Sequence, residues 1–478
     1  MTDVVIIGCG IIGAAAAYEL SQYDLSVTVL EADNDVANGT TKANSAIIHA
    51  GYDPHPDTMM ARLNVEGSAL AKIICKKLNV PYKEIGSLVL AFSKEELLTL
   101  EDLYRRGMGN GVAGISLLSA KEVHEIEPNL SEEVTGALYA PTAAIVNPWE
   151  YAIALAETAA VNGVTICRNS EVASIGKTDG GYRVTTAAGD VYNCKTILNA
   201  AGIHADKIHN MVSAPAFSIR ENRGEYYLLD KSEGKRVNHI IFQCPTKDGK
   251  GVLVAPTVHG NLIVGPNAQD VTGGDAATTS KGLEYVVNTA RKSVPTINIR
   301  ESIRNFAGVR ALTEFDDFII AEAKDAPGFI DLSGIKSPGL SSAPAIAKLA
   351  VKLLGNCNLV FRKKASFVDS REQIRFKELS IKEKRELIEK EPAYGRVICR
   401  CETITEGEII HAIHSPIPPV SIDGVKRRCN AGMGRCQGGF CGPRVLEILS
   451  RELNLSPTEI LQDKSGSYIL IGETKGGN

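Results

Sequence analysis

Four cysteines near the end of the chain carry its sharpest chemical signal: Cys399-x-Cys401 and, 34 residues further on, Cys436-x4-Cys441. Two thiolate pairs on two loops can ligate a 2Fe–2S cluster, and four thiolates can also hold a structural zinc. The tight Cys-x-Cys pair departs from a zinc ribbon, whose pairs usually enclose two residues. Glycines crowd the second pair in "GMGRCQGGFCG", where they let backbone N–H groups turn toward sulfur and stabilise a negatively charged cluster. A second constellation stands at the other end, Gly8-Cys9-Gly10-Ile11-Ile12-Gly13, with Glu31 placed 23 residues after Gly8. Gly8 permits a tight turn, Gly10 lets backbone approach a pyrophosphate, and Gly13 allows a helix to pack closely on a strand. Glu31 can accept hydrogen bonds from a ribose hydroxyl, and its charge would repel a 2′-phosphate. That argues against NADP.

The elements around these residues are the ones such chemistry needs. "DVVIIG" reads as a buried parallel strand, "AAAAYELSQY" as the helix whose N-terminus meets phosphate, and "SVTVLEAD" as the next strand, ending at Glu31. At the far end, "TEGEIIHAIHS" reads as a helix capped by Thr405, and "GPRVLEILSRELN" as another that begins near Pro443. "EYYLLD" and "NLIVGP" alternate polar and apolar residues, as strands of an antiparallel sheet do. The charged stretch Arg362–Glu391 reads as a solvated connector.

At 478 residues the chain is too long for one core. A hydrophobic fraction of 44%, a charged fraction of 23% and a net charge of −4 describe an ordinary globular protein with no call for nucleic acid. No apolar run approaches the length of a spanning helix and no basic leader precedes the first strand, so the expected location is the cytoplasm, with peripheral docking on a membrane through a partner left open. Cys9, Cys75, Cys167, Cys194, Cys244 and Cys357 are scattered and read as buried small apolar residues.

The glycine turn alone does not distinguish FAD from NAD. Three further stretches bear on this: "NSAIIHAGY" (Asn44–Tyr52), "TILNAAGIHAD" (Thr196–Asp206) and "GIKSPGLSSAPAIA" (Gly334–Ala347). Together with the glycine turn they resemble the D-amino-acid-oxidase-like superfamily of FAD oxidoreductases, in the branch of glycerol-3-phosphate dehydrogenases and L-2-hydroxyglutarate oxidases, over residues 1–365. The resemblance implies an α/β architecture: a Rossmann-type FAD domain (1–80, 145–210, 330–365) interleaved with an antiparallel-sheet substrate roof (81–144, 211–329). It also implies FAD contacts from Gly8, Gly10, Ile12, Gly13, Glu31, Thr41, Asn44, Ser45, His49, Val172, Ala201, Gly202, Gly339, Leu340 and Ser341. No second glycine turn flanked by strand and helix is evident, so an internal NAD site is not expected. After a connector (366–395), residues 396–478 form a small helical domain. Its segment 396–455 resembles the 2Fe–2S domain of bacterioferritin-associated ferredoxin, a pattern that uses Cys399, Cys401, Cys436 and Cys441 and leaves Cys429 as a bystander.

For alcohol oxidation by flavin a base must take the hydroxyl proton while hydride leaves. His49 is the leading candidate, either as that base or as a residue that orients the ring. Arginine forks suit a small anionic substrate. Arg310 in "FAGVRAL" resembles the family's Gly-Leu-Arg-Pro segment, with Ala311 in place of the proline, and Arg223 in "NRGEYY" is a second candidate. His259 reads as a hairpin-turn residue, and His204 and His209 as structural. The function expected is oxidation of sn-glycerol 3-phosphate to dihydroxyacetone phosphate, electrons leaving through the cluster to a redox partner protein or quinone-linked subunit. The alternatives are a 2-hydroxy acid such as L-2-hydroxyglutarate, an amino acid or secondary amine, or an electron-transfer subunit without its own substrate. An oligomer is compatible with all of these.

Overall fold

The computed structural model describes residues 1–245, 251–357 and 359–472. Thr2–Ile7, apolar and buried from Val4 to Ile7, lies at the heart of a parallel sheet. Val27–Leu30 and Val191–Asn199 pair parallel to it on either side. Thr165–Cys167 continues the sheet beyond the first and Phe329–Ser333 beyond the second. The hairpin Val172–Thr178 and Gly181–Thr186, and the strand Ile319–Glu322, add antiparallel members. Helices Ile11–Leu20, Pro148–Val161 and Gly339–Leu354 pack together, with Met59–Lys77 against the last. The alanine run Ala14–Ala17 is almost fully buried, which allows that close approach.

The second sheet has nine strands. It is antiparallel, as its alternating strands predict, except at one junction: Ile240–Gln243 lies parallel to Ser87–Ala91. The reason is topological. These strands belong to two inserts that enter from separate crossovers, so no hairpin constrains their direction where their edges meet. Two long strands, Arg220–Leu229 and Ser302–Leu312, pair along their whole length, and the second meets the loop that follows Glu31 through Thr40.

The C-terminal unit has its own apolar centre, including Ile409, Ile413, Val425, Val445 and Leu449. Its first helix, Glu406–Ile413, is capped by Thr405 in a capping box with Glu408, and the last runs from Gly442 to Leu453. Between them lies a helix that the sequence reading does not foresee, Ile422–Cys429, capped by Ser421 and ended by Asn430 in the left-handed region (φ 64°).

The charged stretch is not simply solvated. Only helix Ile381–Lys390 stands clear of the core. Its upstream half is fastened to the FAD domain: Lys363 bridges to Tyr23, Arg371 pairs with Glu157 at 2.8 Å, and Arg375 pairs with Glu150 at 2.6 Å. Glu150 and Glu157 are 2% and 3% exposed, and buried carboxylates need partners. The arginines of this stretch supply them.

Candidate active site and cluster site

The glycine turn has the geometry of a cradle. Gly8 has φ +94°, and a Cβ there would meet the carbonyl oxygen of Ala200 at 2.6 Å. A Cβ on Gly13 would come within 1.9 Å of the Gly8 carbonyl oxygen, so helix and turn touch. Gly10 is different, because a Cβ there would meet only Thr41 Oγ1, at 3.3 Å. Space is therefore kept on the side where a pyrophosphate would approach. Ile11 N donates to Thr41 Oγ1 (2.9 Å), while the N-cap residue Gly10 supplies no side-chain cap and the first turn holds no acidic residue, which leaves the remaining N–H groups suited to an anion. Ile12 lies in that first turn.

Glu31 accepts from Cys9 N at 2.7 Å and from Asp33 N at 2.9 Å, and desolvation pushes its carboxyl up to about 7. Val172 packs in the cluster around Ile7 and Leu30 beside it. Ala201 and Gly202 open the turn after Asn199, with Ala200 N donating to Ile7 O at 3.0 Å. Asn44 fixes its own loop, donating to Thr41 O and accepting from Ala46 N, both at 2.8 Å.

At the other end of the cradle, helix Gly339–Leu354 starts with Gly339, Leu340 and Ser341. Ser341 Oγ accepts from His49 N at 2.8 Å, so the second and fourth motifs of the sequence meet. The His49 carbonyl accepts from Asn64 Nδ2 (2.8 Å) and Ser68 Oγ (2.6 Å), its ring stacks on Phe242, and its Nε2 lies 3.3 Å from Ser337 Oγ. A small cavity beside it is lined by Tyr52, Asp53, Asn64 and Pro338. Ser45 Oγ is 3.2 Å from the hydroxyl of Tyr226, which stacks at 4.9 Å on Phe306 from the neighbouring roof strand. Tyr226, Phe306, Phe242 and Ser337 are not among the site residues of the sequence reading. For the three aromatics the sequence signal is alternation within strands, which gives a face but not what it faces; Ser337 lies within the motif Gly334–Ala347.

The two arginines separate. On the roof strands Asn222, Gly224 and Tyr226 share one face with Phe306, Gly308 and Arg310. Arg310 lies across Gly224 on that face, donating to Asn222 Oδ1 (2.5 Å) and Asn267 O (3.1 Å). Arg223, one residue out of phase, points to the opposite face. Its guanidinium is consumed there by Asp275 (2.7 Å), Gln269 (2.8 Å) and Glu225 (3.3 Å). The sequence reading offers both as candidates for a small anionic substrate; strand alternation puts their side chains on opposite faces of the roof sheet.

His259 sits in the turn Thr257–Asn261, as expected, with Nε2 3.2 Å from Asn147 Nδ2. Burial, then Lys377 and Arg375, push its ring down to about 3, so it is neutral. His209 is buried, 2.7 Å from Asp331 and 3.0 Å from Ala214 O.

The four cysteines form two pairs. Cys401 Sγ and Cys436 Sγ are 3.7 Å apart, and Cys399 is hydrogen-bonded to Cys441. Backbone N–H groups of Gly432 and Glu402 also donate to Cys399, those of Phe440 and Gly438 to Cys436. Among the described residues no three potential ligands gather around one ion. Paired thiols are the donor set of two irons with two thiolates each, whereas one zinc needs all four around a point. Cys429 is buried, donates to Val425 O at 3.4 Å and stands outside both pairs.

Comparison with known proteins agrees with both halves of this geometry. A family model described as FAD dependent oxidoreductase matches residues 3–353. The chain belongs to that family. A second model, the BFD-like [2Fe-2S] binding domain, matches residues 397–451 of this oxidoreductase. Its cofactors are FAD and a 2Fe–2S cluster. It is 54% identical over 477 residues, 99% of each chain, to the glycerol 3-phosphate dehydrogenase of Caloramator mitchellensis. It is 37% identical to the glycerol 3-phosphate oxidase of Mycoplasma pneumoniae over 74% of this chain and 94% of that one. The FAD-bound L-alpha-glycerophosphate oxidase structure from Mycoplasma pneumoniae superimposes with a TM-score of 0.74 at 36% identity, covering 78% of this chain and 99% of the other.

Proposed function

We propose that this oxidoreductase converts sn-glycerol 3-phosphate to dihydroxyacetone phosphate and hands the electrons on through its C-terminal domain. The observation that carries the proposal is the relative named glycerol 3-phosphate dehydrogenase, which matches at 54% identity across both the FAD half and the cluster half. Bound FAD supplies a hydride acceptor, and a bound 2Fe–2S cluster supplies one-electron transfer.

The chain's own residues do the rest. Arg310 is held by Asn222 and Asn267 through one N–H on each terminal nitrogen, and its remaining donors suit a phosphate. His49 takes the substrate hydroxyl proton at Nε2, where Ser337 Oγ stands 3.3 Å away and Phe242 stacks on the ring. Tyr226 and Phe306 wall the site and keep water from it.

Electron exit belongs to the outer edge of the cluster site. Cys399 and Cys441 are 1% and 2% exposed, whereas Cys401 is exposed and Phe440, between two ligands, is 85% exposed. A redox partner protein or a quinone-linked subunit docks at that edge, and through it the enzyme works at a membrane surface. No helix among the described residues is long and apolar enough to cross a membrane.

The test is anaerobic reduction of the purified flavoprotein with sn-glycerol 3-phosphate, L-2-hydroxyglutarate and amino acids in parallel. Bleaching of the flavin by sn-glycerol 3-phosphate supports the proposal. Bleaching by L-2-hydroxyglutarate alone would replace it with a hydroxy-acid dehydrogenase.

A further inference from the structure

Residues Asp33–Lys42 follow Glu31 and lie between two structures. On the inner side they are fastened to the glycine turn: Ala37 N donates to Cys9 O (3.0 Å), and Thr41 Oγ1 accepts from Ile11 N (2.9 Å). On the outer side Arg168 and Asn169 donate to the Asn34 and Asp33 carbonyls and Thr40 donates to Val309 O, while the side-chain charges of the segment are met by the C-terminal domain. Arg428 gives a two-pronged pair to Asp35 at 2.9 Å on each oxygen, and Arg427 adds a third contact at 3.1 Å. Lys42 reaches Asp463 at 2.6 Å, Asn34 donates to the Asp463 carbonyl at 2.8 Å, and Lys464 pairs with Asp33 at 2.9 Å.

These are not surface decorations. Asp35 is 0% and Arg428 2% exposed. Burial pushes the Asp35 carboxyl up, but Arg428 and Arg427 outweigh it and hold it well below the usual range. A buried charge stripped of its partner must move or take up water, so the segment keeps this position only while the arginines stay where they are. Both arginines sit in the last turn of helix Ile422–Cys429, whose end leads directly into the loop that carries Cys436 and Cys441.

We infer that Arg427 and Arg428 are positioning residues for FAD: acting through Asp35, the iron–sulfur domain forms the outer support of the cradle at its ADP end. Flavin retention therefore depends on a domain outside the FAD-dependent oxidoreductase match at residues 3–353. The inference rests on FAD occupying the glycine turn and not on the identity of the substrate, so the glycerol phosphate proposal can fail without it.

The test uses full-length protein stripped of flavin, with FAD and ADP affinities measured by equilibrium titration and iron content by absorbance. Arg428→Met and Asp35→Asn each weaken FAD by at least tenfold and ADP by a similar factor, with iron retained, and Arg428→Lys recovers part of the loss. The double variant Asp35→Asn/Arg428→Met is no worse than the poorer single one, because the two act as one contact. Arg444→Met, an exposed arginine of the same domain paired with Glu447, changes neither affinity. FAD and ADP affinities within twofold of wild type in both single variants would overturn the inference, as would loss of FAD affinity with ADP affinity untouched. Should those variants fail to fold, Asp463→Asn carries the same test from the half-exposed side of the contact, with a threefold loss expected and no change fatal to the idea.

Discussion

Arg310 Nη1 and Asn222 Oδ1 lie 2.5 Å apart across directly paired positions of two roof strands. The pairing fixes the direction of the guanidinium before any substrate arrives, and such preorganisation lowers the cost of gripping an anion. Arg310→Ala is expected to raise the sn-glycerol 3-phosphate concentration needed for flavin reduction by the equivalent of about 2–5 kcal/mol, with FAD still bound. Asn222→Ala, which frees the fork without removing it, should give a smaller rise. Unchanged substrate dependence in Arg310→Ala would remove this residue from the site.

His49→Asn is expected to slow flavin reduction by roughly 100- to 10,000-fold if the ring takes the proton. Rapid-mixing measurement of flavin bleaching checks this. Reduction at nearly the wild-type rate, with FAD retained, would leave His49 only the role of anchoring Ser341 and stacking on Phe242.

Gly10 and Gly13 should part company when each is replaced by alanine. The Gly10 Cβ has room within the protein, with only Thr41 Oγ1 at 3.3 Å, so Gly10→Ala should fold with a Tm within about 2 °C of the flavin-free wild type yet bind FAD poorly. The Gly13 Cβ would strike Gly8 O at 1.9 Å, so Gly13→Ala should lose about 1–3 kcal/mol of stability as well. Equal behaviour in calorimetry would show that the space at Gly10 has no bearing on the cofactor.

The carboxyl of Glu31 is pushed up to about 7 by desolvation, from about 4.3 for a free glutamate. If Glu31 receives a ribose hydroxyl, as its position after the glycine turn implies, the hydroxyl donates to the ionised form and FAD favours deprotonated Glu31. Affinity should therefore be fully developed above pH 7 and weaken as pH falls through 7. The slope should approach one proton, and Glu31→Gln should flatten it. Titration of flavin-free protein between pH 6 and 8 measures this directly, and a profile identical in Glu31→Gln would assign the proton elsewhere.

Cys441→Ser should lose or alter the iron absorbance while substrate still bleaches the flavin, and turnover with a native partner should stop. On the sequence alone the two cofactor sites read as separate cores, which made FAD binding independent of the cluster. The Asp35–Arg428 contact changes that expectation to a measurable fall in FAD affinity in the same mutant. Full partner-linked turnover in iron-free protein would exclude the cluster from the route.

What was legible in the sequence was local. The glycine turn, the strand that ends at Glu31, the Thr405 cap and the cysteine pairs each rest on residues near one another in the chain, where spacing translates directly into geometry. The face of Arg310 and the opposite face of Arg223 follow from strand alternation, but only after pairing has fixed which face looks inward. The parallel seam between Ser87–Ala91 and Ile240–Gln243 depends on two inserts meeting, which no local pattern encodes. "VKRRCN" looks like a solvated basic run, because nothing near it in sequence discloses that Asp35 waits to bury two of its charges.

That partnership also has a direction in time. Asp35 precedes Arg428 by 393 residues, so at about 5–20 residues per second the ribosome delivers the carboxylate roughly 20–80 s before its arginine. Throughout that interval Asp35 stays hydrated and the segment that flanks the nucleotide lacks its outer brace. The contact can therefore close only long after the glycine turn it supports has been synthesised.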